Sequence, residues 1–403
     1  MNIFISILGL AFLILVHEAG HFFASLAVGL RPRKFYLGFP PAAVRTTRKG
    51  IEYGVGMVPL GGFVSIPGMH RPIPHDAERR FSRAVAEVPL LAGPVDRVKR
   101  SLGAEDLTGA SHEIDELEEA LKERRLSPAA SASAEKGLTE LRDALGPDAY
   151  WKAPTWKRLV AIAAGPVANI LLALVLLTVV YTQVGGDPSQ TIASVTQDSP
   201  AETAGLRPGD RVVAIDGDLV DGVALGQRIV GSEGRPHLIT VVRDGQEVTL
   251  GPVAAEREKA GDPYRLGIVR EGVGRPLTQA AVHSFEVTGT FTVEIGRSIG
   301  RLARGEGRGD VASPIGITRV SADAIELGGE YYLYVLAVIS LSLALLNLLP
   351  LLPLDGGHIL FALVEGARGR FVRREIYERV SVVGLAVVLL LFFVGLSNDI
   401  GRL

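Results

Sequence analysis

The sequence predicts a polytopic α-helical membrane protein: four transmembrane helices, a membrane-associated β-hairpin and one compact extracytoplasmic α+β domain. Three observations predict it. Hydrophobic residues make up 47% of the 403-residue chain and charged residues only 21%, with a mean hydropathy of +0.28; a well-mixed soluble protein carries about 25% charge. The apolar residues collect into four long runs, each sufficient for a hydrocarbon core of about 30 Å. Between the second and third runs lies a stretch of short β-rich segments punctuated by turn dipeptides. Formal net charge is −2, so no basic field recruits nucleic acid, and the expected environment is the lipid bilayer. Cysteine is absent, which excludes disulfides, thiolate nucleophiles and sulfur-ligated metal. Any metal must be held by nitrogen and oxygen.

The first span, 2–30, is charge-free apart from His17, Glu18 and His21 before Arg31. It lacks the basic n-region of a cleaved leader and is too long for an h-region, so it reads as a span. The second occupies 154–184, with its apolar run from 159, Gly165-Pro166 inside it and Trp156 at its rim. The third, 331–358, opens on an aromatic belt at Tyr331, Tyr332 and Tyr334, and is interrupted by Asn347, Pro350 and Pro353, with its apolar run ending at Leu354. The fourth is 380–397. Lys/Arg asymmetry sets the orientation. Arg31, Arg33, Lys34, Arg45, Arg48 and Lys49 follow the first span, Lys152, Lys157 and Arg158 border the second, and Arg368, Arg370, Arg373, Arg374 and Arg379 lie in the 359–379 loop. The opposite flanks carry Asp187, Glu326 and Glu330. Expected is a multi-pass protein of the cell membrane with both termini outside.

The first cytoplasmic loop has two parts. In 31–69, residues 51–66 alternate β-formers with glycines around Pro59 and read as a hairpin too apolar for a solvated loop. The insert, 70–153, is polar and carries an acidic helix near 111–126 with a stripe of Ile114, Leu117 and Leu121, read as the solvated face of a small helical unit. In the long outer loop, 187–271 holds strands at 191–195, 211–215, 237–243 and 247–250, turns at Asp216-Gly217, Asp221-Gly222 and Asp244-Gly245, and a helix start at Ser199-Pro200. The segment from Ala204 to Gly217, Ala-Gly-Leu-Arg-Pro-Gly-Asp-Arg-Val-Val-Ala-Ile-Asp-Gly, resembles the PDZ signature. PDZ domains hold extended peptides by strand addition; Tyr264–Ile268 is a weaker match to the carboxylate loop. Residues 280–325, within 272–330, read as amphipathic helices at the outer surface.

His17-Glu18-Ala19-Gly20-His21 carries the chemistry. Residues four apart share a helical face, so two imidazoles converge on one ion while Glu18 turns beside its open position. The bare pattern arises by chance in about one per cent of chains this long. A bland reading, polar glue between helices, is disfavoured because an ionisable group in a lipid span is by default functional. A hydrolytic zinc takes three protein ligands and one open position. Asp355 is the only acid between Glu330 and Glu365. His21 lies about 15 Å inside the boundary at Arg31 if helical, and Asp355 stands as far in sequence from Glu365. Pro350, Pro353 and the Gly356-Gly357 pair are expected to break the third span around a cavity. His358 is the rival ligand. Asp355 is preferred because His358 is closer to the membrane exit. The remaining histidines, at 70, 75, 112, 237 and 283, read as surface residues. Asn347 reads equally as helix glue or as a substrate contact.

These residues, with Pro59-Leu60-Gly61-Gly62-Phe63-Val64, Gly165-Pro166-Val167-Ala168-Asn169, Ser313-Pro314-Ile315-Gly316-Ile317 and Asn-x-x-Pro-x-x-x-Leu-Asp-Gly-Gly-His from Asn347, resemble the site-2 protease family, most closely the bacterial regulator of sigma-E protease branch. The resemblance implies a zinc-dependent intramembrane endopeptidase with His17, His21 and Asp355 as Zn2+ ligands and Glu18 as general base. It further implies that Pro59–Ser65, including Gly61, Gly62 and Phe63, forms a membrane-reentrant β-loop, and that Asn347 helps handle the substrate. The family's substrates are single-pass transmembrane proteins, typically anti-sigma factors already trimmed by a first protease. Some members carry tandem PDZ domains; a single one is similar to actinobacterial members. The insert has no counterpart in shorter members. Two other readings are a zinc protease acting on surface loops and a non-catalytic PDZ scaffold. A structural zinc, closed by a fourth ligand, would not need Glu18.

Overall fold

The computed structural model describes residues 1–183, 188–257, 264–272 and 274–401. Val184 and Asp187, the expected end of the second span and start of the outer domain, lie outside the described residues. The chain begins with α1 (Asn2–Ala27), β1 (Lys34–Arg48), β2 (Ile51–Ser65), α2 (Pro74–Glu87), α3 (Ala92–Gly103), α4 (Leu107–Lys122) and α5 (Pro128–Leu145). Its middle holds α6 (Thr155–Gln183), β3 (Pro188–Val195), α7 (Pro200–Thr203), β4 (Arg211–Ile215), β5 (Asp218–Leu219), α8 (Gly222–Val230), β6 (Pro236–Arg243), β7 (Gln246–Ala254) and β8 (Ile268–Gly272). The remainder is helical: α9 (Leu277–Ala303), α10 (Pro314–Leu327), α11 (Gly329–Asn347), α12 (Asp355–Arg368) and α13 (Arg374–Gly401). One compact unit comprises Met1–Leu172, Ile295–Ala322 and Ile339–Leu403, and a second comprises Ala173–Glu294 and Asp323–Val338.

Helices α1, α6, α11 and α13 are long and apolar enough to cross a membrane. Large apolar side chains such as Phe4, Leu171, Leu390 and Phe393 face outwards from three of them. Water would penalise that exposure and lipid does not. Helix α13 starts at Arg374, ahead of the expected 380, because its polar first turns are helical too, with Arg374 and Glu378 paired at 2.9 Å.

The third span is broken at its prolines, as expected, but not at its glycine pair. Its helix ends at Asn347, and the chain turns through Pro350 and Pro353 before restarting at Asp355. The prolines cause the break, since each lacks an N–H and clashes with the preceding turn. Gly356 and Gly357, expected to share in the break, instead lie inside the first turn of α12. Their bare backbone lets that turn nest on the loop before it: a Cβ on Gly357 would stand 2.5 Å from the Leu352 nitrogen, and one on Gly356 would overlap the Leu348 carbonyl.

The hairpin also differs. Residues 51–66 do not fold on themselves around Pro59; 51–65 form β2, whose partner β1 comes from the basic first part of the 31–69 β-loop. The turn is Lys49-Gly50, with φ of 52° and 78°, the mirror-image geometry that matches strand twist in two-residue hairpins. Both strands curl, so 34–37 pairs with 52–55 on one edge and with 62–65 on the other, Tyr36 lying opposite both Gly54 and Phe63. That leaves 62–65 as one edge of the sheet, with Gly62 against Glu18 and Ile14 of α1.

The insert is a helical unit with its own core, in which Phe81, Ile114 and Leu117 are fully buried and Leu121 packs at the margin. Asp106 and Ser127 cap α4 and α5. Arg33 ties the unit to the base of β1 through Asp143 at 2.7 Å and Asp148 at 2.9 Å.

In the second unit the sheet order is β7-β6-β4-β3-β8, with β5 paired to β4, over a core that includes Ile192, Leu225, Ile239 and Val241. Asp216-Gly217 and Asp244-Gly245 turn with positive φ at both residues, and Ser199 caps α7. Asp221-Gly222 is a helix start, not a turn: the Asp221 carboxylate accepts from the Ala224 amide at 2.7 Å and opens α8, which the sequence reading did not anticipate.

Candidate active site

Helix α1 carries His17 and His21 one turn apart on one face, both buried. Helix α12 carries Asp355 in its first turn. Asp355 Oδ2 lies 3.1 Å from His17 Nε2 and 3.3 Å from His21 Nε2, and the two nitrogens are 3.3 Å apart. Among the described residues no other trio of His, Asp or Glu converges in this way.

His21 Nδ1 donates to the Ala161 carbonyl at 3.0 Å. A carbonyl only accepts, so Nδ1 carries a proton, and Nε2 is the nitrogen that faces the triangle and can offer a lone pair to a metal. Zinc in tetrahedral geometry, with bonds of about 2.0–2.1 Å, separates its ligand atoms by about 3.3 Å. The observed edges match, and the donor set of two imidazoles and one carboxylate leaves a fourth position open. The residues fit zinc.

Helix α6 closes the back of the triangle. Ala161 is fully buried, and a Cβ on Gly165 would overlap the His21 ring, 2.6 Å from Cε1. Gly20 has equally little room, since a Cβ there would lie 2.9 Å from that of Ala168. Sequence reasoning missed Ala161 and Gly165. A backbone carbonyl has no side-chain signature, and Gly165 was visible as part of a motif in the second span, with no role attached to it.

Glu18 turns away from the histidine face towards the hairpin. A Cβ on Gly62 would stand 2.8 Å from Glu18 Cγ, so of the predicted hairpin residues Gly62 abuts it. Gly61 has a φ of 99°, which glycine alone adopts readily. Phe63 stacks on Tyr36 with ring centres 5.1 Å apart. Pro59 lies in β2, and its side chain falls outside the described residues. His358 is outside the triangle, its Nδ1 hydrogen-bonded to the Tyr377 hydroxyl. Asn347 ends α11 and donates from Nδ2 to the Leu343 carbonyl at 3.0 Å, so it is not brought into the triangle. Of the histidines read as surface residues, only His75 and His112 are exposed. His70 packs edge-on to Tyr377 at 4.4 Å, His283 edge-on to Tyr181 at 4.6 Å, and His237 pairs with Asp216 at 2.5 Å.

The chain matches peptidase family M50 over residues 5–391. Zinc metalloprotease RasP of Geobacillus kaustophilus is 29% identical over 414 residues, covering 97% of this chain and 95% of that protein. RasP of Bacillus licheniformis is 28% identical over 415 residues, with coverage of 97% and 96%. A relative from Rhizobium meliloti is 31% identical over 420 residues, with coverage of 98% and 95%. A match spanning nearly the whole chain, joined to a donor set that fits zinc, makes this protein a member of peptidase family M50, the site-2 proteases, and a zinc-dependent metalloendopeptidase of the membrane.

Proposed function

We propose that the enzyme cuts single-pass membrane proteins inside the bilayer, with His17, His21 and Asp355 holding the zinc and Glu18 acting as general base. One observation carries this reading: two of the three converging donors belong to α1, a helix apolar enough to span the membrane. Zinc held there supplies Lewis acidity to a water molecule and to the scissile carbonyl. Glu18 takes the proton of the attacking water and passes it to the leaving amide nitrogen. The active site belongs to the cytoplasmic half, because the chain leaves both His21 and Asp355 towards basic segments, Arg31–Lys49 and Arg368–Arg379.

A transmembrane substrate is a helix whose amides are internally bonded, so it must unwind before attack. Freed backbone groups in lipid are costly until they find partners. The hairpin, reentrant in this reading, offers them by accepting the unwound segment as an added strand beside Glu18, while Asn347 serves as a further substrate contact. The β3–β8 sheet with α8 is read as a single PDZ domain outside the membrane. The substrates are anti-sigma-like proteins whose outer domain a first protease has removed, which places the enzyme in regulated intramembrane proteolysis.

The test is to map the cut in a reconstituted single-span protein by mass spectrometry. A scissile bond inside the span is expected. A cut confined to the flanking loop would replace this reading with that of a surface-loop protease. The hairpin's part is tested by Gly62→Val, whose side chain would press on Glu18 and on the Tyr36 carbonyl, each 2.8 Å from the new Cβ. Displacing a catalytic group by about 1 Å costs roughly 100-fold in rate, and that loss is expected with zinc content unchanged. Parallel loss of zinc would mean the fold had been damaged instead.

A further inference from the structure

Asp355 is the first residue of α12, and the start of a helix is its least secure part. The leading N–H groups have no partner within the helix, and the preceding residue, Leu354, supplies no side-chain cap. The Asp355 carboxylate turns its Oδ2 to His17 and His21 instead. A donor at such an end keeps its place only if something outside the helix holds that turn.

Helix α13 contributes no donor to the triangle, yet it meets the chain on both sides of Asp355. Three residues before Asp355, the Leu352 carbonyl occupies the space that a Cβ on Gly384 would need. Three residues after it, His358 Nδ1 is hydrogen-bonded to the Tyr377 hydroxyl. Tyr377 and Gly384 are seven residues apart, so they lie on one face of α13. The Tyr377 ring is itself held from two directions. Phe361, one turn beyond His358 on α12, packs edge-on to it with centroids 4.8 Å apart, and His70, from the segment that leads into α2, does so at 4.4 Å.

We propose that Tyr377 is a positioning residue for the zinc site. Through His358 it fixes the rotation of the first turn of α12, and together with the Gly384 contact it sets where the Asp355 carboxylate meets the two histidines. The inference rests on Asp355 holding the zinc. It gives α13 and His358 a part in a reaction whose converging donors lie elsewhere. Partners that orient a metal ligand from outside typically account for 10–100-fold in metal affinity or activity.

Tyr377→Phe keeps the ring contacts with His70 and Phe361 and removes only the hydroxyl. In the full-length protein it is expected to raise the zinc Kd by about tenfold, read by competition with a chelator. The visible absorption of the cobalt-substituted protein should change with it, because that spectrum follows coordination geometry. Turnover of a single-span substrate should show a lower kcat with KM unmoved, since no substrate contact is touched. His358→Leu should match Tyr377→Phe, and the double variant should be little worse than either, because both remove one contact. His358→Asn, whose amide reaches the position of Nδ1, should restore zinc affinity close to that of the parent. Parental zinc affinity in Tyr377→Phe, even with a lowered unfolding midpoint, would mark the contact as structural only and overturn the proposal. A His358→Asn variant as impaired as His358→Leu would overturn it too. Failure of the ligand assignment itself reads differently, as full zinc in Asp355→Ala. If Asp355→Ala loses zinc while Tyr377→Phe keeps it, the positioning role alone falls.

Discussion

Glu18→Gln is expected to retain its zinc and lose cleavage by roughly 10²–10⁴-fold, the range supplied by a positioned general base. The substitution keeps the shape of the side chain and its contact with Gly62, and removes only the ability to take a proton. Zinc stays because Glu18 is not among the three converging donors, which come from His17, His21 and Asp355. The measurements are zinc per chain by atomic spectroscopy and turnover of a single-span substrate in the same preparation. Normal turnover would remove Glu18 from the reaction altogether. The inactive variant also holds substrates without releasing products, so crosslinking it in membranes identifies the proteins it cuts.

Asp355→Ala is expected to lose both activity and metal. Two imidazole nitrogens remain, and affinity should fall by more than about 100-fold, the upper end of what losing even an outer-shell partner costs. Ligand binding to the folded state alone stabilises it in proportion to the logarithm of concentration over Kd. Added zinc should therefore raise the unfolding midpoint of the parent and leave that of the variant unmoved, while the two agree in the presence of chelator. A variant that keeps full zinc would make Asp355 structural and transfer the third-ligand role elsewhere. His358, already engaged by Tyr377, would be the first residue to examine. A variant with a lower midpoint even in chelator would instead report a folding defect.

How much of this was legible beforehand depends on whether a local rule governed each element. The spans follow from runs of apolar residues, because lipid demands length and hydrophobicity regardless of neighbours. The pairing of His17 with His21 follows from the 3.6-residue period, and the Asp216-Gly217 and Asp244-Gly245 turns from residues that tolerate positive φ. The third converging donor was only half legible. Asp355 and His358 lie within one turn of each other, and period alone does not choose between them. The docking of α12 on α1 brings Asp355, and not His358, to the two histidines, while His358 meets Tyr377.

The sequence by itself determined the four helices apolar enough to span a membrane, the nitrogen and oxygen chemistry of the site and two of its converging donors. Each is a property of composition or of spacing within one element. Tertiary structure alone decided that β2 pairs with β1, that the Ala161 carbonyl orients His21, that Gly165 makes room for its ring and that Gly356-Gly357 pack inside a helix. Periodicity tells which face of an element a side chain occupies. Which backbone or side chain from a distant segment meets that face is settled only when the elements pack.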